Sequence, residues 1–282
     1  GRSGQKVREY APGFIPTVVT AVGSVLLTCD LAINPAVATK VAALDKDSGK
    51  VLWTRPGIVH PPAENGTAFV FNGTELEGVE IATGASRWKV KTETCPGYVR
   101  LFCKAGVVYG IYMPPYKPLA RLVAYDAKNG ARLWKKEEPG CGYGALPYAD
   151  EFWMLAYTNG TGRGDSVFVQ VLDPRTGSAR RVFTPKGMVN AKCYPTKGCA
   201  DHLLYSNSWT LDRKSGTSLA QNTVRSPCSL GQMPANGMTY YLPHHCDCQV
   251  TLRGMLAMSR AGSRKWIPDA ASNSLPAAIV SS

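Results

Sequence analysis

Alternating apolar and polar residues recur along the chain, and the alternation is broken each time by Gly or Asn-Gly. The clearest stretches are PTVVTAVGSVLLT (16–28), GTAFVFNGTEL (66–76), VRLFCKAGVVYGIYM (99–113), EFWMLAYTNG (151–160) and ANGMTYYLP (235–243). Period-two alternation puts apolar side chains on one face of an extended strand. A Gly or Asn-Gly between two such runs is a tight-turn signal. Each stretch therefore predicts an antiparallel hairpin. No apolar run approaches the roughly 20 residues that a membrane-spanning helix needs.

Downstream of these hairpins a second pattern recurs: LDKDSGKVLW (44–53), VEIATGASRW (79–88), YDAKNGARLW (125–134), LDPRTGSARR (172–181), LDRKSGTSLA (211–220) and AMSRAGSRKW (257–266). The turn glycines are Gly49, Gly84, Gly130, Gly177, Gly216 and Gly262, in steps of 35, 46, 47, 39 and 46 residues. Four residues before them stand Asp45, Glu80, Asp126, Asp173, Asp212 and Met258; four after stand Trp53, Trp88, Trp134, Arg181, Ala220 and Trp266. A pitch of this kind marks a propeller or solenoid. The Gly suits a tight turn, the acid accepts backbone N–H groups across it, and the Trp offers an apolar plate to the next unit. Each unit reads as a four-stranded blade, with blades near 15–56, 60–91, 99–138, 142–185, 191–222 and 231–266. The expected architecture is an all-β propeller of four-stranded antiparallel blades over 15–266. Residues 1–14 are an N-terminal extension, and 267–282 a tail or closing strand. Six repeats are recognisable, and the ring has room to complete to seven or eight.

Composition adds a compartment and a class of partner. The 282 residues include nine Cys, at 29, 95, 103, 141, 193, 199, 228, 246 and 248. That number points to disulfides in an extracytoplasmic setting, periplasmic, cell-surface or secreted, with an odd thiol left over. Net charge is +12, which suits a basic surface or an acidic polysaccharide partner. The basic residues are scattered, Arg121, Lys135, Arg163, Arg180, Arg253 and Lys265 among them, and form no specific nucleic-acid signature. Asn65-Gly66-Thr67, Asn72-Gly73-Thr74 and Asn159-Gly160-Thr161 are glycosylation sequons but read first as hairpin turns.

The motif L-D-x-x-[ST]-G-x-x-x-W resembles the pyrroloquinoline-quinone (PQQ)-type repeat. That repeat builds the propellers of quinoprotein alcohol dehydrogenases and of the lipoprotein in the outer-membrane protein assembly machinery. The Cys-rich last third, AKCYPTKGCADHLLYSNSWTLDRKSG followed by SPCSLGQMPANGMTYYLPHHCDCQVTLRGMLAMS, is similar to PQQ-like propellers of planctomycete-type bacteria. The quinone-dependent members would imply a vicinal disulfide, a Trp floor and a calcium site with a catalytic Asp. This chain has no Cys-Cys pair and no residues that match those calcium ligands, which argues against a bound quinone.

The densest ligand cluster is His244, His245, Cys246 and Cys248. Thiolate and imidazole side chains suit copper or zinc, and calcium is the third metal to weigh. The competing expectation is disulfides that join Cys246 or Cys248 to Cys193, Cys199 or Cys228. Cys29, Cys95, Cys103 and Cys141 form a second set, in which Cys95 and Cys103 bracket one blade connection. Asp150-Glu151 and Glu137-Glu138 read as solvated turn charges, and GRGDS (162–166) as a hairpin tip. Tyr98, Tyr112, Tyr116, His60 and His202 are the groups a lyase acting on acidic sugars could use. Two functions follow as expectations: a binding or assembly module for a protein or an anionic polysaccharide, or an enzyme, either a quinone- or metal-dependent oxidoreductase or such a lyase.

Overall fold

The computed structural model describes residues 8–16, 18–30, 40–58, 61–93, 98–113, 119–139, 144–157, 167–185, 196–205, 209–220, 231–236, 238–242 and 255–259. They form six antiparallel sheets in strict chain order. Blade 1 holds β1 (Val18–Val22), β2 (Val25–Cys29), β3 (Lys40–Asp45) and β4 (Val51–Pro56). Blade 2 holds β5 (Ala63–Glu64), β6 (Thr67–Phe71), β7 (Glu75–Glu80) and β8 (Ser86–Lys91). Blade 3 holds β9 (Tyr98–Lys104), β10 (Val107–Met113), β11 (Leu119–Asp126) and β12 (Arg132–Pro139). Blade 4 holds β13 (Leu146–Tyr148), β14 (Glu151–Tyr157), β15 (Val167–Leu172) and β16 (Ala179–Phe183). Blade 5 holds β17 (Lys197–Cys199), β18 (His202–Tyr205), β19 (Trp209–Asp212) and β20 (Ser218–Ala220). Blade 6 shows three strands among the described residues: β21 (Met233–Ala235), β22 (Met238–Tyr241) and β23 (Leu256–Ser259). The protein is an all-β propeller. Among the described residues, no helix is long and apolar enough to cross a membrane.

The hairpins form where the alternation breaks. Asn65 and Gly66 both take positive φ, 49° and 72°, and join β5 to β6, as a type I′ turn requires. The alternation itself survives only on outer strands such as β4. In β6 every residue is buried, and in β10 all but the last. The reason is that a middle strand is covered on both faces by the blades on either side. The hydrophobic clusters accordingly lie between sheets. One joins Val25, Leu27 and Trp53 of blade 1 to Val70 and Val79 of blade 2. Another joins Tyr109, Ile111 and Trp134 of blade 3 to Phe152 and Met154 of blade 4.

Each repeat turn is held by its acid. Asp45 Oδ1 accepts from the Ser48 N–H at 2.6 Å and the Ser48 hydroxyl at 2.6 Å, and the Gly49 N–H reaches the Asp45 carbonyl at 2.9 Å. Asp173 with Thr176, and Asp212 with Ser215, repeat the arrangement. Glu80, one methylene longer, accepts the Thr83 hydroxyl and Arg87 instead.

These bonds favour the ionised carboxylates. The Arg180 guanidinium, then the Thr176 amide, lower Asp173 from 3.8 to about 2. Asp45, Glu80, Asp126 and Asp212 are lowered as well, chiefly by Ser48, Thr83, Arg175 and Ser215 respectively. A group whose folded pKa is depressed binds fewer protons folded than unfolded, so its contribution is present above the unfolded pKa and lost as pH falls through the folded one. The urea midpoint should therefore hold above pH ~4 and drop steadily between about pH 4 and 2. The Asp173→Asn protein should show a shallower drop over that window. Equal slopes for the two proteins would remove Asp173 from the acid response.

Candidate functional site

The repeat residues assemble into a latch between neighbouring blades. Trp53 on β4 donates its Nε1–H to the Ile81 carbonyl of blade 2 at 2.9 Å. Trp88 on β8 does the same to Ala127 of blade 3 at 3.0 Å, and Trp134 on β12 to Pro174 of blade 4 at 2.8 Å. The acceptor always follows the turn acid by one residue. Each indole also lies against the next blade's turn glycine. A Cβ on Gly84, Gly130 or Gly177 would meet Trp53, Trp88 or Trp134 at 2.7, 2.6 or 2.8 Å. Across each Trp in its own sheet stands a small residue, Ala43, Gly78 or Ala124, immediately before a β-bulge. The bulge and the missing bulk let the indole lie flat and reach forward.

Blade 4 carries Arg181 where the repeat has Trp. Its Nη1 donates to the Arg213 carbonyl of blade 5 at 2.9 Å, the acceptor position an indole would use. Its Nη2 reaches Glu151 at 2.5 Å, and the guanidinium lies over Trp153 at 5.3 Å. Phe183, two residues on, fills the space over Gly216. Arg181 with Phe183 thus replaces one indole. Glu151, which also pairs with Arg213, is an interior bridge rather than a solvated turn charge. Glu137 pairs with Arg121 and Lys135 at the outer edge of blade 3.

Among the described residues an open cleft lies between blades 2 and 3 on the face that carries the turns. It holds about 460 Å³ and is lined by Glu64, Thr67, Arg87, Asp126, Lys128 and Arg175 among others. Glu64 ends the innermost strand of blade 2 and accepts the Ala105 and Gly106 N–H groups of blade 3 at 2.9 and 2.7 Å. Arg87 bonds the Thr67 hydroxyl at 2.7 Å, and Arg175 pairs with Asp126 at 2.6 Å. The Lys128 ammonium has no ion-pair partner among the described residues. Arg87 also pairs with Glu80 at 3.1 Å, so the three cations Arg87, Lys128 and Arg175 face three carboxylates, Glu64, Glu80 and Asp126. Sequence reasoning missed this cleft, because its residues come from turns of three different blades.

The thiols that can be placed are protonated. Burial, then Asp30, raises buried Cys29 to about 11. Burial and then Glu64 push Cys103 up, and its Sγ donates to Glu64 Oε2 at 3.3 Å. Burial also raises Cys199, whose Sγ lies 3.5 Å from the His202 carbonyl. A protonated thiol is a poor nucleophile and a poor metal ligand. Cys103 bonds across to blade 2 here, and Cys199 bonds within its own hairpin. His202 approaches Asp212 at 3.8 Å and is half-exposed, and Tyr112 is buried in the core between blades 2 and 3. Cys95, Cys141, Cys193, Cys228, His244, His245, Cys246, Cys248, Gly262 and Trp266 lie outside the described residues, as do His60, Tyr116 and 162–166. The Tyr98 side chain does too. Among the described residues, no three His, Cys, Asp or Glu side chains gather as a metal site.

Stacked four-stranded sheets joined by Trp–Gly latches at L-D-x-x-[ST]-G-x-x-x-W turns define a PQQ-type repeat propeller. A family model described as "Outer membrane protein assembly factor BamB" matches residues 37–181, just over half of the chain, and the chain belongs to that family. A comparison with curated protein sequences finds no match. Among solved structures, a europium-containing methanol dehydrogenase is similar at TM-score 0.57 and 16% identity, over 79% of this chain and 54% of that one. The quinohemoprotein alcohol dehydrogenase of Comamonas testosteroni gives TM-score 0.52 and 16% identity, over 79% and 50%. BamB of Moraxella catarrhalis gives TM-score 0.44 and 13% identity, over 83% and 81%. The chain spans about half the length of the dehydrogenases it matches, and the likeness to them is one of fold.

Proposed function

We propose that this propeller is an extracytoplasmic binding or assembly module whose partner is another protein. Its membership of a family described by outer membrane protein assembly carries the reading. The nine Cys support the compartment, and the likeness of the Cys-rich last third to planctomycete-type propellers belongs to the same proposal. The cleft between blades 2 and 3, with the exposed Lys128 at its rim, is where an acidic segment of the partner would dock. Cationic rim residues steer and orient such a partner more than they add raw affinity.

The test is a binding titration of proteins from an envelope fraction against the purified chain, in parallel with Lys128→Glu. Lys128 is exposed and holds no neighbour in place, so the fold should be unaffected. The expected result is one defined protein partner, bound about three- to tenfold more weakly by Lys128→Glu and more weakly by both at high salt. Retention on an immobilised acidic polysaccharide, lost at moderate salt, would move the reading to a polyanion. Stoichiometric copper, zinc or calcium in the purified protein, with no protein partner, would overturn it in favour of the oxidoreductase. Turnover of an acidic polysaccharide would favour the lyase.

A further inference from the structure

The innermost hairpin of each of blades 3 to 6 turns on two residues: Ala105-Gly106, Ala149-Asp150, Ala200-Asp201 and Asn236-Gly237. Counting back from the turn therefore aligns the inner strands. Four residues before it stand Leu101, Ala145, Thr196 and Gln232, all buried. Three before it stand Phe102, Leu146, Lys197 and Met233. The first position faces the preceding blade. Leu101 lies in the cluster with Phe69 and Phe71 of blade 2, and Ala145 in the cluster with Tyr109 of blade 3. The second position faces the following blade, as alternation along a strand requires. Phe102 packs on the cluster shared with blade 4, and Leu146 on the cluster shared with blade 5.

The two positions thus meet at each seam. Between blades 3 and 4 they are Phe102 and Ala145, hydrocarbon on both sides. Between blades 5 and 6 they are Lys197 and Gln232. The Lys197 Nζ donates to the Gln232 carbonyl at 2.7 Å, which puts the ammonium beside the glutamine. Gln232 is 3% exposed, and its side-chain Nε2 is buried with no hydrogen-bond partner. Native proteins leave few buried donors unpaired. Burial also lowers the pKa of Lys197, because leaving water disfavours its charged form. Both departures from a dry seam oppose stability, and an anion between the two residues would relieve both.

We infer that the seam between blades 5 and 6 binds a small carboxylate, with the Lys197 ammonium and the Gln232 side-chain amide as its donors. An ammonium and an amide N–H offer one anion a charge and directed hydrogen bonds. The depth of Gln232 selects a small ligand. This site lies three seams along from the cleft between blades 2 and 3 and does not depend on what that cleft binds.

The test is an NMR titration of the full chain with sodium acetate at constant ionic strength. It is read on the Gln232 side-chain amide signals, which their loss in Gln232→Leu assigns. Those signals should shift saturably, with a dissociation constant in the millimolar range that suits so small a ligand. Lys197→Met keeps the bulk of the side chain and removes its charge, and should need about tenfold more acetate to saturate. Gln232→Leu should raise the urea midpoint, since it removes a buried donor that has no partner. Signals that stay still, or drift without saturating, would overturn the inference. So would equal affinity in Lys197→Met, or a lower urea midpoint in Gln232→Leu. A polygalacturonate that moves the same signals at a far lower carboxylate concentration than acetate would overturn the small ligand and assign the site to an acidic sugar chain.

Discussion

Trp134→Ala should cost about 3–5 kcal/mol of folding stability, the range for deleting a buried aromatic from a close-packed core. The indole is 8% exposed and sits in the cluster between blades 3 and 4. Its ring centroid lies 6.2 Å from that of Tyr109 and 6.0 Å from that of Phe152. Truncation opens a cavity bordered by both rings and strands the Pro174 carbonyl, so the transfer, cavity and hydrogen-bond terms share one sign. Trp134→Phe keeps a ring and loses the donor, and should cost roughly 1–2 kcal/mol. Denaturant unfolding measures both. With folding stabilities of about 5–15 kcal/mol as the norm, the alanine protein should unfold at a far lower midpoint. A loss below about 1 kcal/mol would mean that this latch carries little of the inter-blade packing.

Gly177→Ala should be the second large effect, about 3 kcal/mol or more. Two costs add. The residue has φ +68°, and the new methyl would lie 2.8 Å from the Trp134 ring. Gly23 separates the two costs. It has φ +59° with nothing within 4 Å of a Cβ, so Gly23→Ala should lose only the backbone share, roughly 1–2 kcal/mol. Similar losses at the two positions would reduce the turn glycines to backbone conformation alone, with no part in seating the indole.

The repeat was legible because its parts are local. A Gly of fixed pitch, an acid four residues earlier and a Trp four residues later can be read within ten residues, and Asn65-Gly66 names its own turn. What the latch seats against was not legible, since the acceptors Ile81, Ala127 and Pro174 lie 28, 39 and 40 residues from their donors. One signal was available and unused. Ala43, Gly78 and Ala124 all stand two residues before the turn acid, where a strand otherwise favours bulk. Arg181 looked like a lapse in the repeat until its guanidinium was seen to reach the indole's acceptor.

The site was less legible than the fold, for a related reason. A binding face on a propeller is assembled from turns of separate blades, so Glu64, Lys128 and Arg175 share a cleft without sharing a motif. The His244–Cys248 run stands out in sequence because its ligand-type residues are adjacent. Adjacency is neither needed nor sufficient for a site, and Cys103 illustrates the point. Its thiol hydrogen-bonds Glu64 of the neighbouring blade, 39 residues away in the chain.

A double-mutant cycle between Trp134 and Gly177 tests most directly whether an indole of one blade is seated on a bare glycine of the next. With Trp134 removed, the added methyl at position 177 has nothing to strike. Gly177→Ala should then cost about 2 kcal/mol less in the Trp134→Ala background than in the wild type. Losses that add to within about 0.5 kcal/mol would show two independent sites and contradict the account.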